Sequence, residues 1–361
     1  PPTTMCQSMF NQIGNSVYLY PGDNLSTANF VCPPGSLFYL TSGTYYNQSI
    51  QNPGNGSLWA GQGVNTKLNG NGNANNAFYG DIKNVSIQYF TIENYTENGI
   101  YSWEINETYN ILIAHLSFKN IAPNKDGESN GAVNLYTCQN IQVRDSYFED
   151  VASAILYTHC DGPLKANNNE ALNAGRNFFQ CNDCEGAGIR VNGNSLEHTT
   201  GYGNAVLEDW INIFNSKGTQ SDWIEVNYNR ARGHSDSNSG SFIILADSTG
   251  TYQEAIGNIG VSPGQVGIGV ASGEHILVEG NKMFSDNWMH SNVAYYSIDF
   301  HSPCDNHDFP ASPNPNIANW RDSSGVLNRA TSNGKCGISN TDIRTNVEED
   351  TTMGPEIWNL W

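Results

Sequence analysis

The sequence predicts an all-β chain, a single-stranded right-handed parallel β-helix of about 8–10 coils with terminal extensions. Two observations carry this: a repeat of 26 to 30 residues built from alternating apolar and polar positions, and the return of asparagine to the same place in each repeat. A third is that no segment shows a helical period over the length of the repeats.

Three segments lie over one another. Asn84-Val85-Ser86-Ile87 leads to Phe90, Ile92 and Asn94; Asn110-Ile111-Leu112-Ile113 leads to Leu116, Phe118 and Asn120; Asn140-Ile141-Gln142-Val143 leads to Ser146, Phe148 and Asp150. Alternation marks short strands with one buried face. Each unit closes on a second apolar pair, at Ile100-Tyr101, Val133-Asn134-Leu135-Tyr136 and Ile155-Leu156-Tyr157. Echoes follow at Ile189-Arg190-Val191, Ile211-Asn212-Ile213, Ile224-Glu225-Val226, Ile243-Ile244-Leu245, Ile268-Gly269-Val270 and Ile276-Leu277-Val278. Such units cannot bury an apolar face alone, whereas stacked copies can. Asn84, Asn110, Asn140, Asn229, Asn258 and Asn281 are read as one family of bend residues, because asparagine tolerates left-handed backbone and its amide can bond the next coil. Tyr101, Tyr136 and Tyr157 are expected to stack as a ladder.

The organisation read from these patterns is an N-terminal extension over residues 1–33, a β-helix over 34–301, and an irregular, disulfide-clasped C-terminal arm over 302–361. Pro1 is read as the start of a processed chain. Both ends carry apolar residues, Met9-Phe10 and Ile357-Trp358 among them.

Charge narrows the partners. A net charge of −19 with only 16 Lys and Arg leaves too few cations for a run of phosphates, so no nucleic acid is expected. Polyanionic sugars are repelled unless a cation such as Ca²⁺ intervenes. No apolar run reaches the roughly 20 residues of a membrane span.

The eight cysteines fit an oxidising, extracellular or cell-surface location. Cys138 and Cys160 end consecutive repeats and should sit one above the other, at a coil spacing of about 4.8 Å that a disulfide accepts. Locality pairs Cys6 with Cys32 and Cys304 with Cys336, and leaves Cys181 and Cys184 for a local disulfide. No metal set is completed. Sequons at Asn24, Asn47, Asn55, Asn84, Asn94 and Asn106 fall in the first third of the chain and are candidate N-glycosylation sites.

With the repeat established, the chain resembles the pectate-lyase-like superfamily of right-handed parallel β-helix proteins. The resemblance rests on Pro34-Gly35-Ser36-Leu37-Phe38, Leu58-Trp59-Ala60-Gly61-Gln62-Gly63, Asp209-Trp210-Ile211-Asn212-Ile213 and Gly267-Ile268-Gly269-Val270. It is closest in pattern to uncharacterised secreted β-helix repeat proteins. It implies the fold and, for many members, action on polysaccharides. The motifs of hydrolases resembling polygalacturonases do not carry over. Asn340-Thr341-Asp342 lies in the tail, Gly233-His234 is followed by Ser235, and no Asp-Asp pair is present.

Weak catalytic candidates are Arg190, Asp209, His234 and Asp247, expected to converge if Arg190, Asn212 and Ile244 share one outward column. Turn and inter-coil hydrogen bonding is the competing role for the aspartates. The absent motifs and the apolar ends lead to the expected function: a non-catalytic, glycosylated structural subunit of an extracellular filament, sheath or fibre, self-associating through its termini without a cofactor. The alternatives are a polysaccharide lyase or glycoside hydrolase working in a groove along the helix, with Ca²⁺ only for the lyase, and a carbohydrate-binding adhesin or spike.

Overall fold

The computed structural model describes every residue except 1, 124, 200–206, 234–237, 287, 288, 302 and 361. It is a parallel β-helix, with short strands from successive coils stacked into ladders. The chain divides into two compact units, Pro1–Glu170 and Ala171–Trp361.

In the first unit each coil supplies one strand to each of three ladders. The first ladder runs through Asn76–Tyr79, Asn98–Ser102, Gly131–Tyr136 and Ile155–Thr158. Ser86–Gln88, Thr108–Ala114, Cys138–Arg144 and Asp161–Asn167 make the second. The third contains Thr66–Asn69, Thr91–Glu93, Ser117–Ile121 and Tyr147–Val151. The sequence repeat becomes spatial register: Ile87 stands over Ile113 and Val143, and Ile92 over Phe118 and Phe148. These columns are fully buried, and the Phe118 and Phe148 rings stack at 5.1 Å.

Each coil leaves its neighbour only inward-facing apolar residues to cover. This is why the polar half of the alternation stays outside.

The expected boundaries are too narrow. Ser16–Leu19 already pairs in parallel with Leu37–Leu40, before residue 34. In the second unit Cys304–Asp308, Asn316–Arg321, Ala330–Ser332 and Val347–Glu349 all extend parallel ladders beyond residue 301. Irregular spacing and prolines between these strands hide their repeat in the sequence.

The bend asparagines form two ladders rather than one. In the first unit Asn84 donates to Asn55 at 2.8 Å, Asn110 to Asn84 at 2.7 Å and Asn140 to Asn110 at 2.8 Å, all on the outside and all with positive φ except Asn55. In the second unit Asn229, Asn258 and Asn281 sit at a different corner and point inward, with Asn194 and Asn316 completing the row.

The tyrosine ladder does not form. Tyr101 opposes Asn134, Tyr136 opposes Thr158 and Tyr157 opposes Leu135, so the three occupy different columns and Tyr157 is fully buried. Tyr136 falls two positions beyond the Tyr101 column on the same face, and Tyr157, one position off, faces inward.

Three disulfides join Cys6 to Cys32, Cys138 to Cys160 and Cys304 to Cys336, with Cα–Cα distances of 4.7, 4.4 and 4.9 Å. The expected Cys181–Cys184 bridge is corrected: both cysteines are buried and no disulfide joins them. Cys181 belongs to strand Phe179–Asn182 and hydrogen-bonds Cys184 across the left-handed residue Asp183. Burial pushes the Cys181 thiol well above its ordinary range, which removes the thiolate that oxidation needs. Three disulfides suit an oxidising compartment.

The C-terminal segment, expected as an irregular arm associating with another copy, packs on its own unit. Met353 and Ile357 pack on Ile259 and Phe284. The Trp358 ring lies between the guanidinium groups of Arg230 and Arg232, at 4.4 and 4.5 Å, and its carbonyl accepts from Arg230 at 3.1 Å. The apolar tail is satisfied within its own unit, because the third ladder there exposes an apolar strip flanked by cations. Trp358→Ala is expected to lower unfolding stability by about 3 kcal/mol, read by urea denaturation; an unchanged midpoint would mean that the tail does not hold this position.

Among the described residues no helix is long and apolar enough to cross a membrane.

Candidate functional site

The nominated residues separate into two places. Asn212 and Ile244 share an outward column of the first ladder in the second unit, continued by Gly269 and Tyr296. Arg190 does not belong to it. It pairs with Glu225 on the second ladder, because Ile189–Asn192 follows a coil whose first-ladder strand is Phe179–Asn182. His234 lies outside the described residues.

Asp209 and Asp247 do meet. The Asn212 side-chain amide donates to Asp209 Oδ2 at 3.0 Å and to Asp247 Oδ2 at 2.9 Å. These contacts bound the separation of the two carboxylate oxygens below about 6 Å, near the narrower carboxyl spacing used by retaining glycosidases.

Asp209 is held from several sides. Its Oδ1 accepts from the Ser241 backbone at 2.7 Å, and its carbonyl accepts from Asn177 at 2.6 Å. Next to it, the buried Trp210 donates its indole N–H to the Pro263 carbonyl at 2.7 Å, which anchors the strand start. Gly240 permits the close approach of the coil below: at φ 110° it leaves no room for a Cβ, which would stand 1.7 Å from the Glu208 carbonyl oxygen.

Asp247 reaches the cluster through an irregularity. The register shifts between Asn212 and Phe214, so that Asp247 opposes Phe214, and the preceding Ala246 adopts φ 47°. Bulges re-aim side chains in this way.

Tyr296 closes the column. A Cβ on Gly269 would fall 2.4 Å from the Tyr296 ring, so only glycine there lets the ring lie flat on the strand. Burial, followed by the charges of Asp209 and Asp247, pushes the Tyr296 hydroxyl pKa up.

The electrostatics follow from this enclosure. Burial raises the Asp209 carboxyl to about 7, and Asp247 adds to the shift, against the lowering hydrogen bonds from Ser241 and Asn212. A carboxyl with this value carries its proton close to neutral pH and can donate it. The amide oxygen of Asn212 is buried without a hydrogen-bond partner. Such an orphan costs about 1–3 kcal/mol, a burden typical of sites kept for chemistry rather than stability. The aspartates thus make both the inter-coil contacts expected of turn residues and a paired-carboxyl cluster.

Arg190 builds a separate cluster. Its guanidinium holds Glu225 at 3.0 Å, donates to the Trp223 carbonyl at 2.8 Å and contacts the Asp222 carboxylate. Above Glu225 stands Glu254, whose pKa burial raises. Arg190 is already neutralised by these carboxylates. The other basic candidates are likewise engaged, Arg230 and Arg232 on Trp358. Asn340-Thr341-Asp342 starts a short helix, with Ser339 as its cap.

Sequence reading found Asp209 and Asp247 and missed Tyr296 and the bridging role of Asn212. A signal existed in the outward small residue of Gly267-Ile268-Gly269-Val270, which leaves space for a ring one coil later.

No family model matches the chain, and no curated protein matches it. Solved structures do. The A-module of mannuronan C-5 epimerase AlgE4 from Azotobacter vinelandii is 13% identical with a TM-score of 0.36, covering 90% of this chain and 88% of that one. An alginate lyase from Paenibacillus sp. strain FPU-7 is 10% identical with a TM-score of 0.40, covering 92% and 99%. The family 28 exopolygalacturonase of Yersinia enterocolitica is 9% identical with a TM-score of 0.41, covering 86% and 75%. The chain shares with these structures a parallel β-helix fold. The expected non-catalytic filament subunit is corrected: the similar structures are mostly polysaccharide lyases and glycoside hydrolases. The apolar C-terminal segment that suggested self-association is docked within its own unit.

Proposed function

We propose that the chain is a secreted glycoside hydrolase that cleaves an uncharged polysaccharide at the Asp209–Asn212–Asp247 cluster. The observation that carries this reading is a carboxyl raised to about 7 beside a second carboxyl on a shared amide donor. Asp209 is the general acid that protonates the leaving oxygen. Asp247 is the nucleophile that attacks the anomeric carbon as the leaving oxygen departs, and water activated by the deprotonated Asp209 then releases the sugar and restores both carboxyls. Asn212 holds the two at fixed separation, and Tyr296 covers the pair and limits water.

The net charge of −19 disfavours a uronate polymer, and the cluster adds no free cation to receive one. This separates the proposal from a lyase, which must neutralise a uronate before abstracting its proton. The two mechanisms leave different products. Incubation with a panel of neutral and acidic polysaccharides is expected to release reducing ends from a neutral member, with no absorbance of unsaturated sugar near 235 nm. Proton NMR of the first product should show retained anomeric configuration. Unsaturated products from an acidic member would replace the hydrolase with a lyase.

A further inference from the structure

The first unit holds a groove of about 910 Å³ that the hydrolytic cluster does not use. It follows the corner between the second and third ladders, where one left-handed residue turns each coil. In the second unit that turn position is filled by Gly193, Gly257 and Gly280 and, in one coil, by Tyr228 at φ 55°, whose ring lies against Gly257. Glycine is the least costly choice there.

The first unit instead places Tyr89, His115 and Asp145 at the position, at φ 61°, 52° and 49°. For aromatic residues left-handed backbone is sterically unfavourable. What the strained positions gain is a row of side chains projecting along one edge. The His115 ring stacks on Tyr89 at 4.7 Å and 7°, and its Nε2 lies 3.9 Å from Asp145.

Beside this row the third ladder contributes paired charges. Lys119 bonds Glu149 at 2.6 Å and lies over the Tyr147 ring at 5.3 Å, and Lys67 bonds Glu93 at 3.3 Å. Each lysine has its carboxylate, and Asp145 and Glu170 leave the lining with more acids than bases, so the groove offers donors and acceptors on a mildly negative surface. That is poor chemistry for a polyanion and good chemistry for hydroxyl groups. The repeat of coils also presents the same contacts again about every 4.8 Å, which suits an extended chain over a compact ligand.

We infer that this groove is a second, non-catalytic binding site for an extended, uncharged polysaccharide, with the Tyr89–His115 stack, Asp145 and Tyr147 as its contact residues. It is independent of the hydrolytic reading, since it is argued from residues of the first unit alone.

The test is affinity electrophoresis of the full chain in gels containing soluble β-glucan, galactomannan, xylan or polygalacturonate. Retardation by at least one uncharged polymer and none by polygalacturonate is expected. His115→Ala with Tyr147→Ala should weaken that retardation at least about tenfold. The release of reducing ends from short oligosaccharides should be unchanged in this variant. Lys119→Met, which keeps the stem and removes the charge, should weaken it less, and thermal melting establishes that each variant is folded. The inference is overturned if no uncharged polymer retards the chain. It is equally overturned if Asp209→Asn abolishes retardation while the His115 and Tyr147 variant does not, an outcome that leaves the hydrolase reading intact. Retardation lost in the groove variant of a chain that hydrolyses nothing would uphold the groove and remove the hydrolase.

Discussion

Asp209→Asn should lower kcat by about 10²–10⁴-fold and at the same time raise the melting temperature at about pH 8. The activity loss follows from removing the carboxyl that burial raises toward neutrality. The stability gain follows from the same shift. Asp209 ordinarily titrates at 3.8 and in the folded chain at about 7, so between those values only the folded state keeps the proton. Stability therefore declines as pH rises through that window. Asparagine carries no charge to bury, so the variant's advantage is absent near pH 4 and complete above about pH 7. The wild-type rate should fall over the upper part of the same window, as the acid loses its proton. Melting curves at the two extremes and a pH–rate profile check both halves. A variant that loses activity with no pH-dependent gain in melting temperature would place Asp209 outside the buried acid role.

Asn258→Ala is expected to be the most damaging single truncation in the second unit, by about 3 kcal/mol or more. Its Oδ1 accepts from the Asn229 backbone at 2.8 Å and the Asn229 side chain at 3.1 Å; its amide donates to the Val226 carbonyl at 2.8 Å and Asn281 at 2.9 Å. Alanine removes all four hydrogen bonds inside the coil and leaves the Asn229 backbone N–H without its acceptor, while the Asn229 amide keeps the Val191 carbonyl and the Asn281 oxygen keeps the backbone N–H of residue 258. The outer ladder supplies the control. Asn110 donates to Asn84 and accepts from Asn140 at the surface, where water replaces either partner. Asn110→Gly, which keeps the left-handed backbone, should cost no more than about 1 kcal/mol. Urea denaturation of both variants measures the contrast, and equal losses would show that burial does not set the strength of these ladders.

The asparagines mark where sequence reasoning reached its limit. Recurrence alone identified Asn84, Asn110 and Asn140 as bend residues, and the structure places them there with positive φ. It also grouped Asn229, Asn258 and Asn281 with them, although these turn inward at another corner. Side-chain direction depends on which strand the bend follows, and the one-dimensional repeat does not carry that. The candidate site shows the same division. Asp209 and Asp247 stand out in the sequence as acids beside apolar runs. Their meeting depends on a register shift near Phe214, and the exclusion of Arg190 depends on which ladder its strand joins.

By itself the sequence determined the solenoid, its buried columns and the vertical adjacency of Cys138 and Cys160, because each follows from alternation and repeat length, which are local. Only the tertiary structure decided the fate of Trp358 and the joining of two acids through Asn212. Those outcomes rest on contacts between residues far apart in the chain. Their energies come from burial and hydrogen-bond geometry that no single segment contains.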